Sequence, residues 1–381
     1  MKKVLVWETL GTVSGGQKMT LTIMDMLKDG YEFCCLIPAE GMLSSELERH
    51  NIPFVLMGDQ TLPTGVKGKQ VIFRYGWMSV KSICKSLRAI WKYKPDILYC
   101  PGPAALPWSA ICGIITRKPV IWHLHHIFLD GTTKKLLNLC GCFGSVKKII
   151  AVSQCVGDQI SASKGKEKVE VIYNPVDVDK YASGDAEKVR AEIEQKLGRT
   201  IVRGGVIILI QIATITKNKR QELFIEVIGA IKNAGREVIG ILLGDAVTDA
   251  DVKYKAGLMQ RIKDLKLMND VYMPGFRNDV EHFLSLSDCL VIPSEEGLPL
   301  AGMEAMSARC SVIANAYGGA MELLEKAECG GTYPSTASIQ DIASIVIDAI
   351  DHKDQKALER GYRFCQKQTH HEFRKKMLKV F

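Results

Sequence analysis

Two glutamates, Glu296 and Glu304, stand eight positions apart where an apolar run gives way to a helix-like stretch rich in Ala and Met. Residues 289–293 predict a strand, so Glu296 falls on the loop after it and Glu304 in the first turn of the helix. Open α/β sheets bind ligands at this edge, because free backbone N–H groups and the helix dipole favour an anionic group. Two carboxylates would repel a bare phosphate but suit the hydroxyls of a neighbouring ribose or sugar. The pattern predicts a nucleotide-sugar site.

Short apolar runs alternate with helical stretches along the chain, which is typical of parallel sheets covered by helices. Two doubly wound α/β domains, residues 1–175 and 176–381, are therefore expected, with the ligand in the cleft between them. Residues 360–381 look helical and basic, and either pack back across that cleft or cap the second domain. The predicted strands are residues 4–8, 32–38, 53–57, 97–100, 120–125, 148–153, 169–173, 206–213, 238–244, 271–274, 289–293 and 311–314.

Composition narrows the class of protein. A chain of 381 residues with 47% hydrophobic and 24% charged residues matches a globular protein with two cores. Its net charge of +8 either favours anionic partners or is ordinary surface charge. Nucleic acid is not expected as a partner, since no helix-turn-helix, zinc or RNA-binding signature accompanies the charge.

Cysteine usage and hydropathy bear on the compartment. The twelve cysteines are scattered, mostly in apolar runs, and form no CxxC pair, so we expect no disulfide framework and a reducing cytoplasm. The first residues predict a short strand and not a signal peptide. The longest apolar run, residues 104–116, is shorter than the ~20 residues needed to cross a bilayer, so an integral membrane protein is not expected.

Between Arg74 and Lys94, basic residues interleave with Trp77, Trp91 and aliphatic side chains. This pattern is typical of a helix lying on an anionic membrane surface. It is also typical of a surface helix that packs one face on a sheet. The sequence leaves both interpretations open.

The two glutamates lie within E-G-x-P-x-x-x-x-E-A-M, which resembles the C-terminal signature of the retaining glycosyltransferases of family 4, enzymes of the GT-B fold. The resemblance implies two Rossmann-like domains facing each other across a cleft, the first for the acceptor and the second for a nucleotide-sugar donor. It extends over nearly the whole chain. The other segments that resemble the family are Gly15-Gly16, Asn174-Pro175-Val176-Asp177, Gly244-Asp245, Pro274-Gly275-Phe276-Arg277 and Gly318-Gly319-x-x-Glu322.

The resemblance implies how phosphate is held. Lys219 matches the family's phosphate-binding lysine, whose charge stabilises the departing nucleoside diphosphate as the glycosidic bond breaks. The family usually has an arginine five residues earlier, where this chain has Thr214. Either Lys217 or Arg220 replaces that arginine, or the Thr214 hydroxyl does part of its work, or activity is low.

Five further residues are assigned backbone contacts by the same resemblance. Gly15 and Gly16, which lack a Cβ, would let the backbone approach the donor phosphates. Gly297 and Leu298 would donate N–H groups to the sugar or the phosphate. Arg277 would contact the base, mainly through its backbone.

The carboxylates and a histidine complete the implied site. Glu296 would hydrogen-bond hydroxyls of the donor sugar, and Glu304 the ribose diol. The family carries a histidine at a strand end facing the donor sugar, and its pattern best matches His125, with His123 as the runner-up.

No metal or other cofactor is expected. His123, His125 and His126 alternate along one predicted strand, which is poor geometry for a three-histidine metal site. Asp249-Ala250-Asp251 has the form of a D-x-D metal motif but lies in a charged segment that we interpret as solvated surface.

These implications describe a metal-independent retaining hexosyltransferase that moves a sugar from a nucleotide donor, most commonly a UDP-sugar, to an acceptor hydroxyl. Retention without an obvious nucleophile fits front-face attack, in which the departing phosphate helps to deprotonate the acceptor. The acceptor is expected to be a sugar or a lipid-linked glycan in surface polysaccharide or glycolipid synthesis, at the inner face of the cytoplasmic membrane. The alternatives are an epimerase or phosphorylase on the same fold, and a non-catalytic nucleotide-sugar-binding subunit.

Overall fold

The computed structural model describes residues 1–58, 69–202 and 204–381, without the side chains of residues 69–73. The chain divides into two units. The first comprises Met1–Asn174 together with His371–Phe381, and the second comprises Pro175–His370.

The first unit is built on a seven-stranded parallel sheet. Its strands are β1 (Lys2–Trp7), β2 (Tyr31–Ile37), β3 (Phe54–Leu56), β4 (Ile97–Cys100), β5 (Val120–Leu124), β6 (Val146–Ala151) and β7 (Val169–Val171). They lie in the order β3-β2-β1-β4-β5-β6-β7. The central strands are buried on both faces, which explains their continuous apolar runs. The order reverses between β1 and β4, and this reversal opens a crevice at the carboxyl ends of the strands.

Helices cover both faces of this sheet, as a parallel sheet requires. The N-terminal helices of the first unit are α1 (Gly15–Leu27), α2 (Met42–Arg49), α3 (Lys69–Tyr93), α4 (Leu106–Thr116), α5 (Gly131–Gly141), α6 (Gln154–Gly157) and α7 (Ser163–Lys166). Among the described helices of the chain, none is both long and apolar enough to cross a membrane.

The second unit contains a six-stranded parallel sheet. Its strands are β8 (Ile207–Ile212), β9 (Val238–Leu243), β10 (Val271–Gly275), β11 (Cys289–Ile292), β12 (Ser311–Asn315) and β13 (Gly331–Tyr333), in the order β10-β9-β8-β11-β12-β13. The sequence did not predict β13, because three residues beginning with glycine give no apolar run. That edge strand exists through its pairing with β12, which is a tertiary contact.

Nine helices flank the second sheet in the described chain. They are α8 (Val178–Ala182), α9 (Glu187–Leu197), α10 (Gln221–Asn233), α11 (Asp249–Asp264), α12 (Val280–Leu286), α13 (Leu300–Ser307), α14 (Gly318–Ala327), α15 (Ile339–Asp351) and α16 (Gln355–Gln366). Here too the strand order reverses, between β8 and β11, and the loops after these two strands meet at one edge.

The last helix, α17 (His370–Val380), packs on the first unit although it follows the second in sequence. Phe373 and Met377 are buried in the core of the first unit. The ring of Phe381 lies 5.2 Å from that of Tyr99, and Arg374 Nε donates to the Met26 carbonyl at 2.7 Å. The first unit is thus assembled from two separate stretches of chain.

Candidate active site

The loop after β8 carries the predicted phosphate-binding lysine. It forms a short 3₁₀ turn over Lys217–Lys219, and the chain then enters α10 through Arg220, whose φ of 53° is left-handed. Gln211 Nε2 donates to the Lys219 carbonyl at 2.7 Å, and Gln221 Nε2 donates to the Thr214 carbonyl at 3.0 Å. Both glutamines are buried, so two amides inside the unit fix the shape of the loop.

Sequence reasoning missed these two glutamines. The available signal was a polar residue inside the apolar strand of residues 207–212, where an amide has to find a partner. Thr214, at the position where the family usually has arginine, lies half-buried on this loop. Lys217 is exposed, whereas Arg220 Nη1 donates to the Pro293 carbonyl at 3.4 Å. Arg220 therefore brings a second positive charge to the end of β11.

Lys219 and Glu296 are in direct contact. Lys219 Nζ donates to Glu296 Oε1 at 2.5 Å, across 77 positions of sequence. The same oxygen accepts a bond of 2.6 Å from the Ser294 hydroxyl. The Glu296 side chain is 19% exposed and that of Lys219 is 31% exposed, so solvent screens the pair only partly. The structure thus places a cation and a carboxylate side by side at the carboxyl edge of the sheet.

Glycines hold the Glu296 loop against the start of α14. Gly319 N donates to the Glu296 carbonyl at 2.8 Å, and Glu296 forms a bridge with Gly318. A Cβ on Gly319 would lie 1.8 Å from the Gly297 carbonyl oxygen, so no larger residue fits without moving the loop. Leu298 is buried beneath it. The backbone of Gly297 and Leu298 is therefore fixed where the two predicted N–H donors lie.

Glu304 lies in the second turn of α13 and not in the first turn as predicted. The helix starts at Leu300, because the Pro299 carbonyl accepts from Gly302 N at 3.0 Å and from Met303 N at 3.4 Å. Glu304 Oε1 accepts a hydrogen bond of 2.8 Å from the hydroxyl of Tyr181 in α8. Nothing in the sequence indicates this partner, since 123 positions separate the two residues.

The Arg277 side chain is committed to neighbours in its own unit. Its guanidinium donates to Asp279 and Glu192 over 2.8–3.2 Å and lies 5.0 Å from the centre of the Phe283 ring. The hydrogen bonds that Arg277 donates to Asp279 raise the pKa of Arg277. These contacts leave the backbone as the part of Arg277 suited to touch a base, which is the contact that the family resemblance implies.

In the first unit, Gly15 and Gly16 form the first turn of α1. A Cβ on Gly16 would meet no described atom within 4 Å, so the glycine faces open space at the helix N-terminus. The turn is anchored from below: Gln17 Nε2 donates to Glu8 Oε2 at 2.9 Å, and Ser14 Oγ donates to Gln17 Oε1 at 2.6 Å. Burial raises the pKa of the Glu8 carboxyl.

His123 and His125 share one face, as strand alternation predicts, with ring centres 4.0 Å apart. His123 is fully buried at the end of β5, and its Nδ1 lies 2.6 Å from the Tyr99 hydroxyl. Burial lowers the pKa of His123 to about 3 and that of His125 well below its usual value, so both rings are neutral at pH 7. His125, half-buried just beyond the strand, is the one that reaches the carboxyl edge.

The predicted residues thus form two groups. Thr214, Lys219, Arg277, Glu296, Gly297, Leu298 and Glu304 lie along the carboxyl edge of the second sheet, and Gly15, Gly16 and His125 lie along that of the first. Within the described ranges, no three His, Cys, Asp or Glu side chains are arranged to hold a metal ion.

Two family models match the sequence. Glycosyltransferase Family 4 matches residues 22–180, and Glycosyl transferases group 1 matches residues 193–363. A UDP-Gal:alpha-D-GlcNAc-diphosphoundecaprenol alpha-1,3-galactosyltransferase of Escherichia coli is 24% identical over 310 residues, which are 75% of this chain and 74% of the relative.

Solved structures share the whole fold. Those of HepE from Anabaena with UDP and with UDP-glucose have TM-scores of 0.78 and 0.79, at 24% identity, over 100% of this chain and 99% of HepE. A glycosyltransferase from Rickettsia africae has a TM-score of 0.74 at 20% identity, over 100% of this chain and 97% of its own.

The two parallel sheets and these matches define the protein as a glycosyltransferase of the GT-B type. Within that class the chain belongs to the family-4 type, since the two family models together cover most of both units.

Proposed function

We propose that the protein is a retaining glycosyltransferase that moves a sugar from a UDP-sugar to an acceptor hydroxyl. The observation that carries the proposal is the contact of Lys219 with Glu296 at a sheet edge that also bears Glu304. A cation for pyrophosphate beside carboxylates for hydroxyls is the arrangement that a nucleotide-sugar requires. The donor named for the Escherichia coli relative and the ligands of HepE support uridine as the nucleoside.

In this proposal the second unit binds the donor. The leaving UDP gains negative charge as the glycosidic bond breaks, and a fixed cation and N–H donors lower the free energy of that state. Lys219 and Arg220 supply the cations, the latter in place of the arginine missing at Thr214, and the Gly297–Leu298 backbone supplies the donors. Glu296 and Glu304 hold the sugar and ribose hydroxyls. These positive groups do the electrostatic work without a metal ion.

The first unit is proposed to bind the acceptor, and its Gly15-Gly16 backbone is proposed to contact the donor phosphates. His125 is neutral because desolvation lowers its pKa, and it donates to or accepts from a sugar hydroxyl without adding charge. Attack from the face of the departing phosphate retains the anomeric configuration, and that phosphate takes the acceptor proton. No side chain is then required as a nucleophile.

A thermal-shift screen of nucleoside diphosphates and their sugars tests the donor. We expect UDP and at least one UDP-sugar to stabilise the protein more than GDP, ADP or CDP, since a ligand at 100 times its dissociation constant stabilises by about 2.7 kcal/mol. Product analysis then separates the reactions: transfer needs an added acceptor, whereas an epimerase converts the donor alone. Binding without turnover of any donor would favour the non-catalytic subunit.

We further propose that the acceptor is carried on a lipid, as in cell-surface polysaccharide or glycolipid synthesis, and that the protein works in the cytoplasm against the inner membrane face. The support is the outer surface of α3. The inner face of this helix packs on the unit through the buried Met78 and Ile90 and through two serines: Ser86 accepts from the buried Trp7 indole at 3.0 Å, and Ser79 accepts from that of Trp108 at 2.6 Å. Trp77 and Trp91, each 63% exposed, point outward.

The exposed face of α3 matches an anionic bilayer. Trp77 and Trp91 are fourteen positions apart, almost four turns, and so lie on one side of the helix roughly 21 Å from each other. Lys81 and Arg88 lie between them, and neither α3 nor the neighbouring α4 contains an acidic residue. Aromatic anchors interleaved with cations are the features that hold a helix at a charged interface.

Vesicle sedimentation tests this membrane surface. The protein should pellet with vesicles that contain anionic lipid and not with neutral phosphatidylcholine vesicles. Because each Trp removes a large apolar area from water, the double variant Trp77→Ala, Trp91→Ala should weaken binding by about tenfold or more. The matched control is Leu265→Ala, Met268→Ala, which removes exposed apolar side chains of the second unit. Equal binding by all three proteins, or a dimer in solution that the Trp variant abolishes, would contradict the assignment.

A further inference from the structure

We infer that Tyr181 is a positioning residue for the donor, acting through Glu304; the inference rests on the proposed function of Glu304. The Tyr181 hydroxyl donates to Glu304 Oε1 at 2.8 Å, a side-chain contact between two helices of the second unit. Burial and the nearby Glu304 charge raise the pKa of Tyr181. The hydroxyl therefore stays protonated near neutral pH, and Tyr181 is the donor of this bond.

The surroundings of α8 fix where that hydroxyl lies. Asp177 caps the helix by accepting from Lys180 N at 3.1 Å. The side chain of Lys180 reaches the other way, donating to the Asn278 carbonyl at 3.2 Å and lying 3.4 Å from Glu281 on α12. A five-residue helix held at its cap and along its side cannot rotate freely. Tyr181 thus approaches Glu304 from a set direction.

A carboxylate on a flexible side chain loses rotamer freedom when it binds a ligand, and this loss weakens binding. The bond from Tyr181 removes much of that freedom before the donor arrives. If Glu304 accepts from the ribose hydroxyls, the hydrogen bond from Tyr181 determines how well the Glu304 carboxylate is oriented toward them. Its contribution then appears in donor affinity and in the preference for ribose over 2′-deoxyribose, and only weakly in the bond-breaking step.

The test is Tyr181→Phe, which removes one oxygen and keeps the ring. We expect the KM for UDP-sugar to rise about 3- to 10-fold with little change in kcat, which is the size of one typical hydrogen bond, because Tyr181 acts on the donor only through Glu304. The ratio of dissociation constants for 2′-deoxy-UDP and UDP should fall by a similar factor. Tyr254→Phe is the matched control, since the Tyr254 hydroxyl also donates to a glutamate, Glu222, within the second unit. It should leave both readouts unchanged.

Glu304→Gln separates this inference from the function on which it rests. If Glu304→Gln lowers the discrimination between UDP and 2′-deoxy-UDP and Tyr181→Phe does not, the positioning role is wrong and the donor site stands. If Glu304→Gln leaves discrimination intact, the ribose role of Glu304 is wrong, and the positioning role falls with it. In the double variant the two effects should not add, because the contact is already lost; full additivity would overturn the inference.

Discussion

Lys219→Ala should lower kcat by about 10²- to 10³-fold, which corresponds to roughly 3 kcal/mol of lost transition-state stabilisation. Two effects act in the same direction. The variant removes a cation that we propose to bind the departing pyrophosphate, and it leaves the partly buried Glu296 carboxylate without the partner that Lys219 provides at 2.5 Å. That carboxylate would then repel the charge that develops on UDP. The measurement is single-turnover transfer from UDP-sugar with saturating acceptor.

The control for Lys219→Ala is Lys263→Ala, which removes an exposed lysine from the last turn of α11, at the end of the helix opposite to the carboxyl edge of the sheet. The control should keep its turnover, which excludes a general effect of net charge. Glu296→Gln adds a sharper comparison. This variant frees Lys219 to bind phosphate, so the affinity for UDP should rise. The affinity for the UDP-sugar should rise less, because the variant also removes the carboxylate proposed to bind sugar hydroxyls. Full turnover by Lys219→Ala would remove this residue from the mechanism.

Gly319→Ala should destabilise the second unit by roughly 3 kcal/mol, near the top of the range for overpacking. The new Cβ would lie 1.8 Å from the Gly297 carbonyl oxygen. The obstacle is backbone, which cannot rotate away as a side chain can. Either α14 moves off the sheet or the Glu296 loop moves out of the site. In a unit of this size the expected fall in Tm is roughly 10 °C.

Gly257→Ala provides the comparison, because it makes the same change within a helix at a position where a Cβ meets no described atom within 4 Å. Helix propensity alone should make that variant up to ~1 kcal/mol more stable. If Gly319→Ala has a normal Tm but has lost transfer activity, the Glu296 loop has moved while the core of the second unit keeps its stability. Wild-type Tm and wild-type transfer together would show that the close contact is not present in solution.

The strands and the family were predictable from sequence because both depend on local patterns. Apolar runs report burial on both faces of a parallel sheet, and E-G-x-P-x-x-x-x-E-A-M keeps its spacing through one loop and one helix. β13 was missed because its three residues become a strand only through pairing with β12. Glu304 was predicted in the first turn of its helix but lies in the second turn, because α13 already starts after Pro299, whose carbonyl accepts the first hydrogen bonds of the helix.

The partners of the site residues were beyond the reach of sequence reasoning. Nothing local indicates that Tyr181 meets Glu304 across 123 positions, or that Gln211 supports the Lys219 loop from beneath. Gly318-Gly319 was noticed as part of the family's pattern, yet its physical reason, the close approach to the Gly297 carbonyl, exists only in three dimensions. Patterns in the sequence predicted the groups that we propose to meet substrate, whereas the residues that hold those groups in place are visible only in the folded structure.

The division of the first unit into two stretches of chain has a consequence for synthesis on the ribosome. Phe373 and Met377 belong to its core, so that core stays incomplete until the whole second unit has been made. The second unit, which is continuous, can fold as soon as it emerges, while the first waits with an apolar groove uncovered. The first unit is therefore synthesised before the second unit but completes its fold after it. A chain stalled before residue 371 would expose this groove and become a target for chaperones, even though every strand of both sheets had been translated.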